Sequence, residues 1–215
     1  MAQPFAIASL SPNRPALTST ASTSSPNARP DIYARNLQRT AKQETSLSAL
    51  AFLFSALVQQ LHKTCTGVPE LERKLADHGY RVGVRALDLS CCRDPARSRK
   101  REHRLLGMLQ WVSGTLWRSL FNKPADALEQ ARDASDEYMI YDNAPLVCSF
   151  ISTPKELGAL SCAAFIAGIL EGCLDAAGFP CSVTAHAAAT PELPLKSVFL
   201  IKLDASVMQR EAFLS

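Results

Sequence analysis

From Leu47 onward, the apolar residues Leu50, Leu53, Phe54, Leu57, Val58 and Leu61 recur three and four apart. At about 100° per residue this predicts a helix whose apolar arc spans roughly 160°. Phe52 lies outside that arc. A single core contact does not need so wide a face, so part of this helix is expected to be covered by another chain. A second helix is predicted over 69–79, opening at Pro69, running through Leu71 and Leu75, and stopping at Gly79 in the manner of a glycine C-cap. A third follows over 82–92 and breaks at Arg93-Asp94-Pro95. The fourth, over 101–121, carries Leu105, Met108, Leu109, Val112, Leu116, Trp117 and Leu120 at helical spacing, with Gly107 and Gly114 placed to admit another backbone. A short helix is expected over 124–131.

The pattern then changes. Residues 137–141 and 146–151 read as strands joined by the turn-forming Asp142-Asn143-Ala144-Pro145, which makes a hairpin. Ser161 is a candidate cap for a helix containing Phe165, Ile166, Ile169, Leu170, Cys173 and Leu174. Its Ala164, Gly168 and Gly172 fall four apart, a smooth ridge expected to lie close to a sheet. After Gly178 and Pro180, residues 181–186 and 197–203 read as two more strands joined by a proline-containing loop over 187–195. Helices first and strands late predict an α+β fold in which a helical layer backs an antiparallel sheet.

Composition sharpens this picture at the N-terminus. Up to residue 43 the chain is rich in Ser, Thr, Pro and Ala without apolar periodicity, so 1–43 is expected to be a disordered tail and 44–215 a single domain. With 215 residues, 47% of them hydrophobic, there is material for one ordinary core. The formal net charge of +3 is too small to mark the chain as a nucleic-acid binder, so recognition has to come from shape. No stretch is uniformly apolar over membrane-spanning length, and the first 30 residues lack the compact apolar core of a secretory signal. Seven scattered cysteines without a C-x-x-C pair fit a reducing compartment.

Candidate chemistry is sparse. The four histidines share no metal-ligand spacing, phosphate-loop and nucleophile-elbow motifs are absent, and nothing in the sequence calls for a cofactor. A cysteine nucleophile is one reading of His103 or His186 with a thiol, weighed against buried cysteines acting as small hydrophobes. Adjacent Cys91 and Cys92 at a helix end are a candidate acylation pair. One charged cluster stands out: Arg93, Arg97, Arg99, Lys100, Arg101 and Arg104 against Asp94 and Glu102, six minus two, or +4. It reads either as a solvated loop or as a patch (Arg97, Arg99, Lys100, Arg101, Arg104) for an acidic membrane surface or an acidic partner. No aromatic residues interleave with these charges, which argues against nucleic acid.

Taken in order, several strings resemble the small core subunits of the TRAPP vesicle-tethering complex. They are Ser46-Leu47-Ser48-Ala49-Leu50, Gly83-Val84-Arg85-Ala86-Leu87-Asp88, Arg101-Glu102, Leu105-Leu106-Gly107 with Trp117, and the run from Phe121-Asn122-Lys123-Pro124 to Ala131. The later half adds Asn143-Ala144-Pro145-Leu146, the run from Ile151 to Glu156, Ala164-Phe165-Ile166-Ala167-Gly168-Ile169, and Gly178-Phe179-Pro180 with Val183-Thr184-Ala185-His186. The resemblance implies a helical layer on a twisted four-stranded antiparallel sheet and a non-catalytic scaffold subunit. It also implies a heterodimer with a related small subunit (subunit 3), contact with subunit 2, and a Rab GTPase reached through the assembled exchange factor. The setting it implies is cytoplasmic, peripheral to endoplasmic reticulum and Golgi membranes. A paralogous subunit carries an acyl chain on a cysteine four residues before its Arg-Glu pair; Arg97 stands at that place here, so acylation is not transferred.

One subunit interface is therefore expected. An apolar face including Leu50, Phe54, Leu57, Val58, Leu71 and Leu75 packs against a sister subunit, at roughly 1.5 to 3 kcal/mol per fully buried side chain. The competing reading is a stand-alone binder of a hydrophobic small molecule or acyl chain, held between helices and sheet.

Overall fold

A computed structural model of the chain describes residues 46–93, 101–132, 134–152, 157–158 and 160–214. All of these belong to one compact unit, Leu37–Ser215. The expected tail over 1–43 and the basic residues Arg97, Arg99 and Lys100 lie outside the described residues.

Helices α1 (Leu47–His62) and α2 (Val68–Arg93) come first. Helix α3 (Leu105–Trp111) then passes through a π-helical turn (Val112–Leu116) into α4 (Trp117–Phe121). Strands β1 (Ala127–Gln130) and β2 (Glu137–Asp142) follow, then a 3-10 turn (Leu146–Cys148), α5 (Ala164–Ala176), β3 (Cys181–Ala187), β4 (Ser197–Leu203) and α6 (Ala205–Leu214). The four strands form one antiparallel sheet in the order β1-β2-β4-β3. The α+β layering predicted from the sequence is therefore present.

Alternation along the central strands aims one face of the sheet inward. Ile140 on β2 pairs with Phe199 on β4, and Val183 on β3 pairs with Ile201; all four side chains are buried. Above them sits Trp117, its ring edge-on to Phe199 at 5.6 Å and tilted against Phe121 at 5.3 Å. Leu105, Leu109, Leu116, Ile166, Leu170 and Leu174 complete this main core from the helical side. A second cluster, built on Phe54, Leu61, Leu71, Leu75, Cys162 and Ala164, joins α1, α2 and the start of α5.

Several elements differ from the sequence reading, each for a tertiary reason. Helix α2 is continuous through Gly79, which has no left-handed φ and is buried. The buried residues of α2, namely Leu71, Leu75, Gly79 and Gly83, form one ridge four residues apart. Its leucines face α1, and its glycines lie where α5 runs alongside. A Cβ on Gly79 would stand 2.1 Å from the Phe165 carbonyl oxygen, and one on Gly83 2.1 Å from that of Ile169. Reciprocally, a Cβ on Gly168 would meet the Ala76 carbonyl oxygen at 2.0 Å and one on Gly172 that of Tyr80 at 2.2 Å. The smooth ridge of α5 thus lies against α2, not the sheet, and the two backbones touch. Gly107 and Gly114 admit no backbone: a Cβ on Gly107 would meet only the Glu102 side chain, and one on Gly114 would meet nothing within 4 Å.

Residues 124–131 do not form a helix. Their Ala-rich stretch is recruited as β1, where Leu128 pairs opposite Ile140 and packs on the core, so ladder hydrogen bonds and burial outweigh helix propensity. Residues 146–151 contain the 3-10 turn instead of a strand, which makes β1 and β2 the hairpin. Ser161 does not cap α5 with its hydroxyl; its backbone N–H donates to the Glu72 carboxylate at 2.6 Å. Residues 101–104 precede the fourth helix instead of belonging to it, and α6 went unpredicted.

A polar knot ties the helical layer to the sheet. Asn122 ends α4 in the left-handed region (φ 59°), which turns the chain toward β1. The next residue, Lys123, ion-pairs with Asp142, a carboxylate only 1% exposed at the end of β2. Asp142 also accepts from Trp117 Nε1 at 3.3 Å and from the Ala144 N–H at 3.0 Å, while Lys123 Nζ donates to the Ala144 carbonyl at 3.0 Å. The π-helical turn supports the same loop, because the Ser113 carbonyl accepts from the Ala125 N–H at 2.8 Å. Two of the strings that carry the family resemblance, Phe121-Asn122-Lys123-Pro124 and Asn143-Ala144-Pro145, therefore meet around one buried carboxylate.

Candidate protein interface

Helix α1 carries two apolar stripes. The inward one, Phe54, Leu57, Val58 and Leu61, packs into the second core cluster, where Phe54 lies 5.3 Å from the ring of Phe165. The outward one is Ala49, Phe52, Leu53 and Ala56, all exposed, at the i, i+3, i+4, i+7 spacing by which helices are gripped in a partner's groove. It repeats the inward stripe five residues earlier, about 140° around the helix at 100° per residue. Phe52 is 77% exposed and Leu53 71%. Leu47 and Leu50 extend this apolar surface toward the start of the helix.

The expected face is thereby divided. Leu50 is exposed, and Leu57 and Val58 are half-buried. Phe54, Leu71 and Leu75 are buried within the chain's own second cluster, because the α2 ridge that carries both leucines points at α1. These three side chains are core, not outward-facing surface. The exposed apolar residues outside the expected face, Phe52 with Ala49 and Ala56, had a readable signal in their own spacing; the stronger inward arc masked it.

The cysteines separate by burial, and none of the seven forms a disulfide. Burial pushes the Cys148, Cys173 and Cys181 thiols up to about 12 and Cys162 to about 11. Near neutral pH these thiols therefore stay almost wholly protonated, so they are poor nucleophiles. Brief alkylation of the native protein with iodoacetamide is expected to label Cys91 and Cys92, both exposed, and to spare these four until denaturant is added. Peptide mass spectrometry reads the result.

Among the described residues, no cluster of three or more His, Cys, Asp or Glu side chains is arranged to hold a metal ion. No described helix is long and apolar enough to cross a membrane. The space between helices and sheet is filled by Trp117, Phe179, Phe199 and their neighbours. A surface cleft of about 360 Å³ lies elsewhere, between the 146–148 turn, the start of α5 and the β3–β4 loop. Of the basic residues, Arg101 donates to the Ala177 carbonyl at 3.2 Å, and Arg104 pairs with Glu211 at 2.8 Å and reaches the Leu214 carbonyl.

The sequence of residues 50–204 matches the family model described as transport protein particle (TRAPP) component. The chain belongs to the TRAPP component family. It is 49% identical to trafficking protein particle complex subunit 5 of Dictyostelium discoideum over 80% of this chain and 91% of that one. The human subunit 5 is 46% identical over 67% of this chain and 76% of its own. Subunit 31 of Saccharomyces cerevisiae is 32% identical over 91% of this chain and 88% of its own. Among solved structures, subunit 3 from Naegleria fowleri, covalently bound to palmitic acid, shares the fold with a TM-score of 0.59 and 19% identity, over 74% of this chain and 95% of that one. This TRAPP chain is thus a trafficking-complex subunit similar to subunit 5.

Proposed function

We propose that this TRAPP subunit is a non-catalytic scaffold that docks a related small subunit through the outward stripe of α1. The exposure of Phe52 and Leu53 side by side carries the reading, because no part of the described chain covers them. The sister is a subunit 3-type chain, with a further contact to subunit 2, and together they form part of a Rab exchange factor that tethers vesicles between endoplasmic reticulum and Golgi. Catalysis, in this reading, belongs to the assembled complex acting on the GTPase. Similarity to subunit 5 from several organisms supports the assignment. The protein then works in the cytoplasm at the surface of those membranes. The reading as a stand-alone acyl-chain binder draws no support from the filled helix–sheet layer.

The decisive test substitutes exposed residues, since charging Phe54 would break the chain's own core. Phe52→Glu with Leu53→Glu is expected to leave the melting temperature of the purified chain unchanged and to abolish its co-purification with sister subunits. Desolvating two carboxylates in an apolar groove costs several kcal/mol, enough to cut affinity by more than about 100-fold. A folded double variant that still assembles at the wild-type level would overturn the reading.

A further inference from the structure

The sheet has two edges, β1 and β3, and they are guarded unequally. Strand β1 is only four residues long and carries the exposed Glu129, two devices that keep an edge from pairing with another chain. Strand β3 is seven residues long, and from Thr184 to Thr190 the chain holds no proline, lysine, arginine or carboxylate. Register decides which backbone groups face outward. The Ala188 N–H donates to the Lys196 carbonyl at 2.9 Å, so residues 182, 184 and 186 also bond inward to β4, and residues 183, 185 and 187 turn their N–H and carbonyl groups away from it. The Val183 N–H is taken by the Glu171 carboxylate of α5 at 3.1 Å. No described residue bonds to the N–H of Ala185 or of Ala187. This open stretch runs into the cleft of about 360 Å³, whose walls include Ala187, Pro194, Leu195, Ile151 and Leu160.

We propose that the β3 edge at Ala185 and Ala187 docks an extended segment of a partner protein, which adds as a fifth strand and sets an apolar side chain in the adjoining cleft. Outward N–H and carbonyl groups repeating at strand spacing are matched by another extended backbone, and pairing of this kind takes its specificity from side-chain pockets beside the edge. A small apolar ligand would fill the cleft and leave the edge unpaired. Helix α1 contributes no residue to the cleft, so the inference stands apart from the proposed sister-subunit contact.

Hydrogen exchange read at single amides, on the full-length chain alone and in the complex isolated through a tagged copy of it, tests the proposal. The Ala185 and Ala187 amides are expected to exchange roughly 100-fold or more slowly in the complex, as new inter-strand bonds require. The Ser182, Thr184 and His186 amides, already bonded to β4, are the internal reference. Ala187→Pro removes one outward donor at an edge position where proline is tolerated, and should return Ala185 in the complex to the rate of the isolated chain. Leu195→Ser, at an exposed wall of the cleft, should lower the protection of Ala185 roughly tenfold. An unchanged melting temperature shows that each variant keeps its fold. Equal exchange in the two samples, or protection that survives both substitutions, would overturn the proposal. Full protection of Ala185 in the isolated chain would do the same and would assign the edge to a segment of this chain or to a second copy of it.

Discussion

Gly168→Ala, the addition of one methyl group, is expected to destabilise the protein by about 3 kcal/mol, at or above the upper end of typical overpacking effects. The new carbon would stand 2.0 Å from the Ala76 carbonyl oxygen and within 2.8 Å of two more backbone atoms of that residue. Backbone cannot swing aside as a side chain can, so the strain is relieved only if α2 and α5 move apart. Separation would also lengthen the reciprocal contacts at Gly79, Gly83 and Gly172, which depend on the same spacing. For a domain of this size the melting temperature should fall by about 6 to 12 °C. Gly114→Ala is the matched control: nothing lies within 4 Å of the added carbon, and alanine gains up to about 1 kcal/mol over glycine in a helix interior. Equal effects at the two positions would refute the close-approach account.

Asp142→Ala should cost a similar amount, about 3 kcal/mol, read by urea unfolding. The substitution removes the acceptor of the buried Trp117 Nε1 and of the Ala144 N–H, and it takes the counter-charge from the Lys123 ammonium, which keeps its bond to the Ala144 carbonyl. Lys123 is part-exposed and regains some hydration, which keeps the cost toward the lower end of the range for a broken buried pair. Removing both charges in Asp142→Leu, Lys123→Met should recover part of the loss, because the unpaired ammonium is then gone. If the double variant is as unstable as the sum of the two single ones, the pair is not coupled and the knot holds by its other hydrogen bonds.

The candidate interface was half legible. Three-and-four spacing located α1 and showed that its apolar arc exceeded one contact. Which residues lay inside could not follow from spacing, because α1 carries the same pattern twice and only its neighbours distinguish the copies. Leu71 and Leu75 illustrate the limit: their period is that of any amphipathic helix, and the facing α1 makes them core. The basic cluster was visible as charge, while its tie to α6 through Glu211 joins residues more than a hundred positions apart.

The family followed from resemblance to known subunits; the sequence pattern by itself determined that helices come first and strands late, the α+β class and the apolar excess on α1. These are properties of local period and composition, which act between residues a few positions apart. Tertiary structure alone decided that Gly79 continues a helix instead of ending one, that 127–130 pairs as a strand, and that the α5 ridge meets α2. Each of these outcomes depends on what a distant segment brings alongside. A glycine that stops one helix allows another to pass when a second backbone comes close enough to need the space.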